Sequence, residues 1–197
     1  MFLALIVSFL LIGVTWTFLR LRAYYVQKKP SEVRTLIVLG SGGHTAEMLT
    51  LEGALSKRYT PRTYVIASND SLSIQKVAAS DNIRLIPRAR EVKQSFLTAI
   101  FTTSYSLLVC IGIVFRSRPE LVLCNGPGTC IPVCIIGHLF KLIFRARTLS
   151  VYIESICRTK SLSLSGKILY YTRMADVIVQ WPELHKQYPR TKYMGLL

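Results

Sequence analysis

The chain has 197 residues, 51% of them apolar, enough for one well-packed domain and short for two. Its 25 Lys and Arg residues against 10 Asp and Glu give a formal net charge of +15, so the expected partner is anionic: nucleic acid, a lipid headgroup or a phosphorylated substrate. Five cysteines (Cys110, Cys124, Cys130, Cys134 and Cys157), an odd number set in apolar sequence, argue against a disulfide framework and for a reducing compartment.

Met1 to Leu19 carries no charged side chain. At a rise of about 1.5 Å per residue it is long enough to cross a hydrocarbon core of about 30 Å. It lacks the basic start, short apolar centre and small-residue cleavage site of a signal peptide. Residues 1–21 are therefore expected to form a transmembrane anchor and 22–34 a basic juxtamembrane linker. Arg20, Arg22, Lys28 and Lys29 follow the apolar run, which by the positive-inside rule places residues 35–197 in the cytoplasm. Asn69-Asp70-Ser71 matches the N-glycosylation pattern, which a cytosolic domain leaves unmodified.

Thr35-Leu36-Ile37-Val38-Leu39 shows no polar alternation and reads as a strand buried on both faces. Gly40-Ser41-Gly42-Gly43-His44 ends it, and Met48, Leu49 and Leu51 then fall at helical spacing. Strands are expected near 35–39, 62–67, 82–87, 120–124, 148–153 and 175–180, and helices near 45–57, 71–80, 94–115, 129–144, 162–174 and 182–188; the short apolar terminus Lys192 to Leu197 reads as a partner-docking edge or a plain final strand. The alternation predicts a doubly wound parallel α/β sheet of Rossmann type, whose ligands bind at the carboxyl ends of the strands. Phe96 to Phe115 is uncharged and could span a bilayer, but a second span would split the domain. It is expected either to pack partly on the core and dip into the membrane interface, or to be an ordinary buried helix with Thr102, Thr103, Ser104 and Ser106 facing out.

The first turn fails as a dinucleotide site, because Thr45 stands at the third glycine position, and it lacks the Lys of a phosphate-binding P-loop. What remains is backbone that can approach a diphosphate or sugar, with an imidazole at a helix start. There the helix dipole favours the neutral ring, so His44 is a candidate general base toward a sugar hydroxyl, or else only orients the turn. The second turn, Asn125-Gly126-Pro127-Gly128-Thr129, adds a second glycine-rich surface, with Thr129 expected to cap the next helix by its hydroxyl. Glu154 ends the strand Thr148 to Ile153, where a carboxylate can bind sugar hydroxyls, hold His44 or pair with Arg158. Arg84, Arg88, Arg90 and Lys93 surround Pro87 and suit either a lipid diphosphate or anionic headgroups. No metal site is expected, since Cys130 and Cys134 have no second pair and no suitably spaced His.

On the motifs Gly40-Ser41-Gly42-Gly43-His44-Thr45, Asn125-Gly126-Pro127-Gly128-Thr129 and Tyr152-Ile153-Glu154-Ser155, the chain resembles the acceptor half of a two-domain GT-B glycosyltransferase. The bacterial relative is the enzyme that adds N-acetylglucosamine to the lipid II precursor. With its apolar amino terminus and Gln180-Trp181-Pro182, the chain more closely resembles the eukaryotic subunit that anchors the dolichol-linked N-acetylglucosamine transferase. The resemblance implies the following. The enzyme is inverting and inactive as this chain alone. A soluble partner binds UDP-N-acetylglucosamine and is recruited to the cytosolic face of the endoplasmic reticulum membrane. The acceptor is N-acetylglucosaminyl-diphospho-dolichol, the catalytic base is His44, and Gly40, Ser41, Gly42, Gly43, Asn125, Gly126, Gly128, Thr129 and Glu154 hold the acceptor. No cofactor is implied. The bacterial pattern has Thr where this turn has Ser41, and its His-Glu-Gln-Asn strand end survives chiefly as Glu154. The rival reading is a membrane scaffold that only recruits the partner. A nucleic-acid binder is disfavoured by the apolar amino terminus and the absence of an aromatic-basic stripe.

Overall fold

The unalternating run Thr35–Leu39 forms β1, and all five of its residues are buried, as its composition requires. In a computed structural model that describes residues 2–25, 31–77, 82–89, 96–126 and 128–196, it lies inside a seven-stranded sheet. The remaining strands are β2 (Arg62–Ala67), β3 (Ile83–Ile86), β4 (Leu121–Asn125), β5 (Leu149–Ile153), β6 (Asp176–Val179) and β7 (Lys192–Tyr193). Their order is β3-β2-β1-β4-β5-β6-β7, and every neighbouring pair is parallel. Among the described residues seven helices alternate with them: α1 (Phe2–Tyr25), α2 (Gly43–Ala54), α3 (Ser71–Lys76), α4 (Phe96–Ser117), α5 (Cys130–Phe144), α6 (Leu164–Thr172) and α7 (Pro182–Gln187). The doubly wound Rossmann-like architecture expected from the sequence is the one observed.

Period-two alternation along each strand divides the core into two layers. Leu36 and Val38 join Val122, Cys124 and Tyr152 on the face covered by α4, α5 and α6. Ile37 and Leu39 join Ile66, Leu123, Ile153 and Met48 on the opposite face, where α2 lies. The order of connections reverses between β1 and β4: α2 leaves β1 toward one face and α5 leaves β4 toward the other. A crevice at the carboxyl ends of these two strands is the geometric consequence.

Several boundaries differ from the sequence-based ones. The helix expected at 45–57 begins at Gly43, because Gly42, at φ 66°, supplies its non-helical entry. The helix expected from 71 is capped by the Asp70 side chain, which accepts from Ser73 N, and it ends at Lys76. Thr129 does not cap α5 with its hydroxyl; it is buried with αR backbone. The final strand β7, two residues long, falls in the terminal segment for which a plain final strand was one of the two readings.

α1 runs four residues past the expected end of the anchor, and its Phe18 ring packs 6.0 Å from Phe144 of α5. Among the described residues, Thr98–Ser117 of α4 is long and apolar enough to cross a membrane by length and composition. One stripe of that helix, Ser106, Cys110 and Val114, is buried against the domain, whereas Ile100, Phe101, Tyr105 and Leu108 are exposed. Met48, wholly buried, seats α2 on the sheet. Met48→Ala should lower the unfolding free energy by about 2–5 kcal/mol, read from the midpoint of chemical denaturation.

Candidate functional site

Gly40 is buried, and its carbonyl accepts from the hydroxyls of Thr45 and, at 3.3 Å, Ser73. Ser41 is half-buried, whereas Gly42 and Gly43 are exposed, with nothing within 4 Å of where a Cβ would stand. The turn is therefore pinned from below and bare above. Beside it opens a cleft of about 350 Å³ lined by Gly42, Leu72, Ser73, Gln75 and Lys76.

His44 sits in the first turn of α2, and its Nδ1 lies 2.8 Å from Asn125 Oδ1 at the end of β4. Asn125 is fully buried; its Nδ2 donates to Glu47 Oε2 at 2.7 Å. The other Glu47 oxygen, Oε1, accepts from Ser155 Oγ at 2.8 Å. His44, Asn125, Glu47 and Ser155 thus form one connected polar network over the ends of β1, β4 and β5. Glu47 went unnoticed in the sequence reading, although His44 and Glu47 stand three apart on one helix, the spacing that puts two side chains on the same face.

The two turns are in contact. Gly126, at φ +104°, has no Cβ, and one built there would stand 2.6 Å from His44 Cγ. The second turn is thus packed against the imidazole at this point, and both the conformation and the close approach require glycine. Gly128 is half-buried, with open space where its Cβ would be. Tyr152 Oη donates to Gly126 O at 3.0 Å and meets Ser163 Oγ at 2.9 Å, fastening the turn to the start of α6.

Glu154 lies beneath this surface. Its side chain is buried, Oε2 accepts from Ser163 N at 2.8 Å, and Oε1 from Ser155 N at 3.3 Å. Gly166 leaves room for it, since a Cβ there would stand 2.4 Å from Oε2. The backbone carbonyl of Glu154 accepts from Gln180 Nε2, and Trp181 Nε1 donates to Ile156 O at 2.7 Å, tying down the loop that follows β5. Arg158 and Lys160 on that loop are exposed.

The basic group is not brought to the two turns as a unit. Arg84 is exposed on the edge strand β3, its Nη1 donating to Ile83 O. Arg88 is half-buried past the strand's end, while Arg90 and Lys93 lie outside the described residues. The segment carrying Arg88 is tied to α4 by Thr102 and Thr103 hydroxyls donating to Ala89 O and by Ser106 Oγ donating to Pro87 O. Among the described residues no cluster of three His, Cys, Asp or Glu side chains is arranged to hold a metal. Burial pushes the Cys124 thiol well up, and its Sγ lies 3.6 Å from Cys134 Sγ inside the core.

The site is thus a parallel Rossmann-like sheet with two glycine turns and an imidazole at its switch point. The chain matches the crystal structure of Acinetobacter baumannii MurG with a TM-score of 0.59 over 78% of this chain and 42% of that one. At 14% identity this likeness is one of fold. Residues 35–197 match the family described as Oligosaccharide biosynthesis protein Alg14 like, and the chain belongs to the Alg14 family. It is 46% identical to the rat UDP-N-acetylglucosamine transferase subunit ALG14, covering 89% of this chain and 87% of that protein. The human subunit of the same name is 42% identical over 93% of this chain and 94% of its own length. The fission yeast Schizosaccharomyces pombe counterpart is 44% identical, with 87% and 86% covered. The resemblance drawn from the three strand-end motifs is borne out at the level of the family.

Burial pushes the Glu154 carboxyl above its ordinary value of 4.5, against the opposing pull of the Ser163 and Ser155 donors and the Arg158 charge. Folding therefore takes up protons at this group. The stability it contributes is full below the ordinary value and is lost as pH rises through the raised folded value. Glu154→Gln keeps an amide oxygen for Ser163 N–H and cannot ionise. Denaturation midpoints compared from about pH 4 to about pH 7 should show the wild type losing stability relative to Glu154→Gln as pH rises; a constant difference would contradict the assignment.

Proposed function

We propose that this chain is the acceptor-binding, membrane-anchoring subunit of a two-component UDP-N-acetylglucosamine transferase. The donor is bound by a separate soluble subunit, and the acceptor is N-acetylglucosaminyl-diphospho-dolichol at the cytosolic face of the endoplasmic reticulum membrane. The observation that carries this reading is the pairing of His44 with Asn125 across the β1–β4 switch point, directly beside the bare backbone of Gly42 and Gly43. Relatives named as transferase subunits support it.

In this reading the acceptor diphosphate lies against the turns at Gly40 to His44 and at Gly126 to Thr129. Ser41 and the N–H groups at the start of α2 face its oxygens, an arrangement that suits anions. Asn125 and Glu154 act from beneath: the first holds His44, and the second holds the loop that carries Ser155. The lipid runs toward the exposed stripe of α4, with Arg88, and with Arg84, Arg90 and Lys93 as further headgroup contacts. Residues 1–21 anchor the chain, and 22–34 link it to the domain. On the sheet face away from α5, Leu149 is exposed and Ile178 half-buried, and Tyr193, Met194 and Leu196 are exposed at the adjoining edge. That region is the place for the donor subunit.

The chemistry is a single displacement. The attacking hydroxyl oxygen of the acceptor sugar forms a bond to C1 of the donor sugar as the C1–O bond to UDP breaks. The bonding pair leaves with the diphosphate, and the hydroxyl proton passes to His44. Configuration at C1 inverts. General-base catalysis of this kind contributes about 10²- to 10⁴-fold.

Transfer from UDP-N-acetylglucosamine to a short-chain acceptor diphosphate should need both this chain and its soluble partner. His44→Ala should still co-purify with the partner but turn over at least about 100-fold more slowly. Undiminished turnover by that variant would leave this chain as a scaffold.

A further inference from the structure

The network below His44 dictates more than the position of the ring. Glu47 offers two oxygens that only accept, and Asn125 Nδ2 donates to one of them at 2.7 Å. The Asn125 amide is thereby oriented by its neighbour, with its oxygen toward His44. That oxygen also only accepts, and it lies 2.8 Å from Nδ1. Nδ1 must therefore carry the proton. A neutral imidazole has one ring proton, so its Nε2 is left with a free lone pair.

We propose that Glu47 is a positioning residue for the reaction: acting through Asn125, it locks His44 in the Nδ1–H tautomer and so makes Nε2 the proton acceptor. The inference rests on the base role given to His44 above. Ser155 has a part in the same lock, since its hydroxyl donates to Glu47 Oε1 at 2.8 Å and fixes the rotation of the carboxylate. When Nε2 takes up the acceptor proton the ring becomes a cation, and Glu47 Oε2 stands 4.0 Å from Nδ1, where it stabilises that charge. The arrangement resembles in logic a carboxylate orienting a catalytic histidine, with a buried amide interposed between the two. Gly126 contributes by allowing the turn to close on the imidazole ring. His44 is the group that touches substrate; Glu47, Asn125 and Ser155 act through it.

Replacing Glu47 by Gln preserves shape but removes the acceptor-only partner. A glutamine can present either an oxygen or an amino group to Asn125, so the Asn125 amide is free to flip and offer N–H to His44. The ring then populates the other tautomer. The full chain, labelled with ¹⁵N-histidine in detergent micelles, contains three histidines, and the His44 signals are those lost in His44→Asn. In the wild type, two-bond ¹⁵N–¹H correlations should give the Nδ1–H pattern with Nε2 unprotonated. In Glu47→Gln that single pattern should give way to a mixture, with an unchanged thermal midpoint.

With the partner present, kcat for the short-chain acceptor should fall about 10- to 100-fold, whereas KM stays within about twofold. Adding Glu47→Gln to His44→Ala should cost nothing further, because the two changes remove one function. An Nε2–H pattern in the wild type, or an unchanged tautomer in Glu47→Gln, overturns the lock. Full turnover by His44→Ala overturns the base role instead, and the nitrogen spectra tell the two failures apart.

Discussion

Everything chemical in this molecule depends on one feature of a parallel sheet, the reversal of connections between β1 and β4. Adjacent parallel strands deliver their carboxyl ends to one edge. Because α2 and α5 then depart to opposite faces, the two turns meet at the crevice between them. His44 and Asn125 meet there, one from each turn. Gly126 permits the approach, and Tyr152 holds the turn that carries it. A Cβ at position 126 or the loss of the Tyr152 hydroxyl would disturb a contact made by residues 81 apart in sequence, which is why local sequence reads so much of the fold and so little of the site.

The elements that could be read from sequence are those whose signal is local. β1 was legible because Thr35 and the four aliphatic residues after it show no polar alternation, the mark of a strand buried on both faces, and the remaining expected strands were placed by their alternation with helical stretches. The helix ends were less so. Gly42 starts α2 earlier than the apolar spacing suggests, and Thr129 looks like a cap but turns its side chain into the core. β7 has two residues, too few to show a periodicity, and takes its strand geometry from pairing with β6, so the sequence left a final strand and a docking edge equally open there.

The site shows the same division. His44, Gly126 and Asn125 stood out as strand-end residues. Glu154 stood out too, but a carboxylate at a strand end reads equally as an open ligand or a buried anchor. Only the position of Ser163, nine residues on, places its carboxylate under the surface. Glu47 was hidden in plain helical sequence. Its partners, Asn125 and Ser155, are 78 and 108 residues away, and no spacing rule connects them.

Arg88 stands beside α4, and the outer residues of α4 are as exposed as any apolar side chains in the domain, Phe101 at 78%. α5 joins this side through Phe144, where α1 packs. Under the proposed function, a lipid-linked acceptor would reach the strand ends along this face. The most direct test of that account is to photo-cross-link the subunit, in a bilayer with its partner, to a short-chain acceptor diphosphate carrying the photoreactive group on its sugar, and to locate the label by mass spectrometry. Labelling of peptides that hold Gly42 to Glu47 and Gly126 to Thr129 is the result expected. Labelling confined to the partner would contradict an acceptor site on this chain.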